Sequence, residues 1–257
     1  MYKNPLGFEK LSKLLRSFAI PSIISMLVSS LYNIVDQIFI GQGVGYLGNA
    51  ATNVAFPLTT ISVAIALLVG IGSASRFSLY IGAKENDKAA CVVGNGFVSM
   101  LILSALYVIL VLTFLTPLLY AFGSTDQIFP YAYSYTQITT WGVPFLITTN
   151  VMSNMIRADG SPKYSMACMV LGAVINTILD PIFIFVFDMG VEGAAWATVI
   201  GQIASALMAL RYLKLFKNVN LVRSDFRFSF MNFIYECYRY QFLCKSDFID
   251  ACTDHIE

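Results

Sequence analysis

Two acidic residues stand inside otherwise uncharged apolar stretches: Asp36 within SLYNIVDQIFIG and Asp180 within INTILDPIF. A carboxylate in such a setting is costly unless it faces a protein interior or a water-filled cavity, and no Lys or Arg neighbours either one in sequence. Asn176 precedes Asp180 by one helical turn, so the two side chains share a face of any helix built there. Carboxylate and amide oxygens are hard ligands that suit Na⁺, and unpaired carboxylates also suit protons. Burial beside a like charge favours the protonated form, so at least one acid is expected to carry a proton near neutral pH. As an alternative, each Asp can simply hydrogen-bond across helices. Hydrolytic chemistry has little support: the only His is His255 near the chain end, and no Ser/His pair or His cluster falls within the apolar stretches. An aspartyl protease dyad would need the two acids in near contact and usually a GxGD setting, whereas Asp180 sits in Leu-Asp-Pro.

The composition says what must hold these groups. Of 257 residues, 57% are hydrophobic and 12% charged, and mean hydropathy is +0.70. Soluble domains carry about twice that charge, so a water-soluble globule, a disordered chain and a disulfide scaffold are all excluded in favour of an integral membrane protein. The net charge of +1 implies no attraction to nucleic acid. The five cysteines show no CxxC pair and read as free thiols. The first apolar run is too long for the core of a cleavable signal.

Six stretches are long and apolar enough to cross a bilayer: Leu14–Ile40, Thr52–Ser75, Val92–Leu115, Tyr131–Met155, Ser165–Phe187 and Val191–Tyr212. The expected fold class is therefore all-α, a polytopic membrane bundle of six helices. The predicted organisation is an amino-terminal segment over residues 1–13, the bundle over 14–213 and a tail over 214–257. All sixteen Lys and Arg fall on one side of this map: before span 1, in the loops after spans 2 and 4, and from the end of span 6 onward. The positive-inside rule then puts both termini in the cytoplasm. Spans 1 and 5 run in the same direction, which places Asp36 and Asp180 both roughly 7–12 Å below the outer surface. Thr198, on the returning span 6, lies roughly 10 Å down. Two acids, the Asn176 amide and the Thr198 hydroxyl thus share one level.

Other polar groups concentrate in span 4, where Gln137, Thr140, Thr148, Asn150 and Asn154 all occur. A helix this polar turns one side toward a cavity or toward partner helices. With Tyr32 and Gln37 of span 1 it would line a pocket suited to an apolar or cationic organic ligand; polar packing between helices accounts for the same residues. Pro21, Pro57, Pro144 and Pro181 each remove a helix hydrogen bond, and Pro181 does so directly beside Asp180.

NIVDQIFIG (33–41), IRADGSP (156–162), NTILDPIF (176–183) and GVEGAAWAT (190–198) together resemble the multidrug and toxin extrusion (MATE) family, with order, spacing and topology agreeing from about Leu11 to Arg227. The resemblance implies an antiporter that exchanges Na⁺ or H⁺ for organic, often cationic, drugs by alternating access. The coupling ion would be the only cofactor, and the setting a plasma or inner membrane of a prokaryote. It implies that Asp36, Asn176, Asp180 and Thr198 form the cation site and that Pro21 is a hinge. Tyr32, Asn150 and Asn154 fall near positions that line the family's amino-terminal cavity. Family members carry twelve spans in two bundles, so this chain resembles the amino-terminal half. The composition changes near Met231, and the last 27 residues mix Tyr, Cys, Asp and Phe without an apolar run. The tail reads either as a cytoplasmic extension or as a foreign or frame-shifted end. The half-length chain reads as a truncated product, a half-transporter that pairs with another chain (a second copy or a separate second half), or an incomplete gene model; the change near Met231 favours truncation. A lipid-linked saccharide flippase of the wider superfamily is the competing transporter reading, but it would favour a basic cavity and these spans hold no basic residue in their cores.

Overall fold

The computed structural model describes residues 11–219 and 225. The atypical tail from 231 lies outside the described residues. Every predicted span is a helix: α1 (Leu11–Gly43), α2 (Tyr46–Gly82), α3 (Asn86–Thr113), α5 (Phe129–Ala158), α6 (Pro162–Pro181) and α7 (Gly190–Arg211). Each begins and ends within several residues of its apolar run, because backbone hydrogen bonding does not stop where the hydrocarbon does. Two connections differ from expectation. The connection between predicted spans 1 and 2 shrinks to Val44 and Gly45, where Gly45 adopts a φ of 86° that turns the chain tightly into α2. Between predicted spans 3 and 4 a short helix forms, α4 (Leu115–Ala121), whose Leu115 and Leu119 are buried. Tyr120 of α4 stacks on Phe129 of α5 at 5.0 Å.

Five of the six long helices are apolar enough along their length to cross a membrane; α5 is the exception. Its position explains its polarity, since α5 packs against α2, α3, α4, α6 and α7 and has little lipid to face. The core it anchors includes Phe77, Met100, Ile147, Met152, Met155 and Ile156, all fully or almost fully buried. Lipid tails are as apolar as Leu, so packing holds such a bundle together, and small residues permit close approach. Between α6 and α7, a Cβ on Gly201 would meet the Gly172 carbonyl at 2.8 Å, and one on Gly172 would strike Ser205.

α1 is differently placed. It packs mainly on α6 and only lightly on α2, and Leu15, Met26, Leu27, Leu31 and Ile34 are well exposed. The bundle is consequently open along one side, between α1 and α2.

At the end carrying the basic residues, the α5–α6 turn is built by Asp159, which is 2% exposed. Its Oδ2 accepts from the Tyr212 hydroxyl (2.8 Å) and the Lys217 amide (2.9 Å), and its Oδ1 from Asn218 Nδ2 (2.7 Å) and the Asn218 amide (3.3 Å). Phe216 packs edge-on against Phe77 and Tyr212, and Val219 is buried. The chain leaving α7 is thereby tied back under the bundle.

Candidate cation and substrate site

Asp36 of α1 and Asp180 of α6 come together inside the bundle. Asp180 is fully buried and Asp36 is 7% exposed. The two carboxyl groups are near neighbours across the packed α1–α6 contact. Asn176, on the same face of α6, donates Nδ2 to Asp180 Oδ1 at 3.2 Å and to Thr198 Oγ1 of α7 at 3.2 Å. All four residues that the sequence places at one depth are therefore in one cluster, drawn from three helices. Asp36 Oδ1, Asp180 Oδ2 and Asn176 Oδ1 are buried with no hydrogen-bond partner among the described residues. Buried oxygens without donors are expensive. This donor-poor set of oxygens matches what a hard cation or a proton requires.

The end of α6 shapes one side of the cluster. Pro181 cannot donate to the carbonyl one turn earlier, and the helix continues as a wider π-helical turn over Ile182–Val186. Ile184 packs with Ile40 and Ala194, flanked by Phe39 and Tyr135, and this apolar group covers the cluster at the end opposite the basic residues. Gly43 leaves room for Ile184 to approach, since a Cβ there would collide with it.

On its other side the cluster opens into a cavity of about 490 Å³ with walls from all six long helices. Asp36, Asn176 and Thr198 reach its surface, whereas Asp180 stands behind them. Among the described residues, no Lys, Arg or His lines it. Its rim between α1 and α2 includes Asn33, Phe56, Thr59 and Thr60, all exposed.

Tyr32, Gln37 and Asn150 line this cavity. Gln37 accepts from the Thr52 hydroxyl at 3.2 Å, a polar tie between α1 and α2. Asn154 does not line it: this expectation is corrected, because its amide packs against Gly70, where α2 closes on α5 one turn beyond Asn150. Gln137 and Trp141 point outward. Pro21 is buried in α1, 15 residues and roughly 22 Å from Asp36. Lining residues that sequence reasoning missed include Tyr107, Tyr135, Thr139, Met169 and Gln202. Gln202 was accessible, lying one turn after Thr198 on the same face; Tyr107, alone in an apolar span, carried no signal.

The family model described as MatE matches residues 21–182, most of the bundle just described. The chain belongs to the MATE family. The multidrug export protein MepA of Staphylococcus aureus is 30% identical over 217 residues, covering 84% of this chain and 48% of that protein. A MATE protein solved in a bent conformation has a TM-score of 0.80 and 30% identity, covering 86% of this chain and 50% of the other. A transporter of the MOP superfamily from Pyrococcus furiosus gives 0.81 and 29%, covering 87% and 50%. The chain thus spans about half the length of these relatives and corresponds to the amino-terminal half of a MATE protein. It is a multi-pass membrane protein with the helical architecture the sequence predicts.

Proposed function

We propose that this chain is the cation-coupling bundle of a drug or toxin exporter that works by alternating access. One observation carries the reading: a pair of buried, donor-starved carboxylates shares a wall with a cavity that holds no basic group. Na⁺ or H⁺ binds among Asp36, Asn176, Asp180 and Thr198. The organic substrate, cationic by preference, occupies the adjoining cavity against Tyr32, Gln37 and Asn150. Coupling follows if cation occupancy stabilises one arrangement of α1 against α6 more than the other, since only a difference in affinity between conformations can move the equilibrium. The basic end of the bundle faces the cytoplasm, as expected when Lys and Arg are retained on the inner side. The lack of basic residues disfavours a polyanionic cargo such as a lipid-linked saccharide. MepA carries a multidrug export name, which supports the drug-export reading for the shared half.

The test is substrate efflux in everted membrane vesicles with imposed Na⁺ and proton gradients, for this chain alone and for the same bundle joined to a MATE carboxyl-terminal half. Gradient-driven efflux lost in Asp36→Asn and Asp180→Asn is expected in the joined protein. Full efflux by both variants would remove the acid pair from the mechanism. Efflux by the 257-residue chain alone would show that six spans suffice.

A further inference from the structure

On the side away from the basic residues, three members of the cation cluster are each followed outward, one helical turn on, by an apolar residue. Ile40 follows Asp36 by four residues on α1, Ile184 follows Asp180 by four, and Ala194 precedes Thr198 by four on the oppositely running α7. The three pack together as a single layer, with Ile40 and Ala194 fully buried and Ile184 2% exposed. Little protein stands outside this layer. Ile40 lies three residues from the end of α1 and Ala194 four from the start of α7, roughly 5–6 Å of helix. The turn before α7 lies against the end of α1, since a Cβ on Gly190 would stand 3.6 Å from Val44, and the exposed Asp188 and Glu192 flank it. Among the described residues, no Lys or Arg lies at this end. On the lumenal side, by contrast, Asp36, Asn176 and Thr198 stand between Asp180 and the cavity. A cation arriving that way crosses the substrate's volume before it meets Asp180.

We propose that the coupling cation reaches the acid pair directly from the outer surface through this apolar layer, with Ile184 as its gate, while the organic substrate uses the cavity on the other side of the cluster. This rests on the cation-site reading and adds a route to it. A cation cannot cross three packed apolar side chains unless one is displaced, because water stripped from it there is replaced by no ligand. Ile184 is the member free to move. Ile40 and Ala194 belong to regular α-helix, whereas Ile184 sits in the π-helical turn behind Pro181, where the Phe187 N–H reaches back five residues to the Ile182 carbonyl (3.0 Å). Relaxation of that turn toward α geometry swings Ile184 about the helix axis, while Asp180, ahead of the proline, keeps its place. Asp188 and Glu192, with no basic residue near them, concentrate cations outside the gate.

The experiment treats the purified full chain in lipid nanodiscs with a water-soluble carbodiimide and an amine tag, and follows modification of each Asp by peptide mass spectrometry. Ile184→Ala opens the layer, and Gly43→Ala adds a Cβ that forces Ile184 aside without removing it. Asp180 is expected to react on the order of tenfold faster in the first variant and severalfold faster in the second, as local opening becomes easier. The Na⁺ concentration that halves labelling of the acid pair should not move, since a gate speeds entry and exit alike. Asp159, buried at the opposite end, reports general loosening and should stay unmodified. Unchanged Asp180 rates in both variants would route the cation through the cavity and overturn the gate, leaving the cation site standing. Equal acceleration at Asp159, or a shifted half-labelling concentration, would make Ile184 a packing residue and overturn it as well. Labelling of the unaltered chain that Na⁺ does not suppress, and that follows the pH profile of the exposed Asp126, would remove the cation site and the gate with it.

Discussion

The bundle buries carboxylates in two regions, and they are treated in opposite ways. Asp159, at the basic end, receives hydrogen bonds on both oxygens from Tyr212, Lys217 and Asn218. Asp36 and Asp180, near the opposite end, each keep one oxygen with no donor, and they face one another. Burial alone is therefore a poor guide to function in this molecule; the supply of donors discriminates. A saturated carboxylate is a structural tie whose charge is already satisfied. A starved pair retains binding capacity for a ligand with positive charge, and the fold bears the cost of keeping it available.

The comparison is broken most directly through its starved member. Asp180→Asn should reduce gradient-driven efflux by roughly a hundredfold or more in the joined twelve-span protein, because a neutral amide cannot exchange its charge for a cation. The same variant should melt at an unchanged or higher temperature in detergent, since the amide supplies a donor to oxygens that have none. A large fall in melting temperature would place Asp180 with Asp159 as a structural residue.

The saturated member should behave in reverse. Asp159→Ala strands the Tyr212 hydroxyl, two backbone amides and the Asn218 side chain, and should destabilise the bundle by about 3 kcal/mol. Chemical or thermal unfolding in detergent reads this. Cation binding by the folded fraction should be unaltered, and a change in cation affinity would merge the two regions into one functional unit.

How far this contrast could be read in advance depended on distance along the chain. Asp36, Asn176, Asp180 and Thr198 were legible because charge asymmetry orients the spans and helical rise then converts position into depth. Asp159 was not, because its partners lie 53 to 59 residues away and nothing in IRADGSP announces them. The cavity was half legible. Asn150 and Asn154 lie one turn apart on one face of α5, and the sequence treats them alike. The close approach of α2 at Gly70 ends the cavity between them. Which wall lies opposite a polar side chain is a property of packing between helices, and no periodicity within one helix contains it. The six spans themselves were fully legible, since the bilayer sets their length. α5, too polar to resemble a lipid-facing span, sits at the centre of the bundle because the other helices shield it.

Two smaller substitutions sharpen the same contrast. Thr198→Ala removes one neutral oxygen from the starved cluster and one acceptor of the Asn176 amide. Cation affinity should fall by about tenfold or less, measured by isothermal titration, with little change in stability. An effect as large as that of Asp180→Asn would mean that the hydroxyl, not the acid pair, dominates binding.

Tyr212→Phe is the counterpart at Asp159. It removes one of several donors from a carboxylate that keeps the Lys217 and Asn218 amides, while the ring retains its packing against Tyr164 and Phe216. The expected loss is about 1 kcal/mol, the usual worth of a single hydrogen bond whose charged acceptor stays otherwise satisfied. A loss as large as that for Asp159→Ala would show that Tyr212 alone carries the tie and that the amides merely follow it. Because the remaining donors still neutralise the carboxylate, the variant should bind cation with wild-type affinity. A shift in that affinity would connect the two ends of the bundle through α7, the helix that contributes both Thr198 and the Tyr212 end.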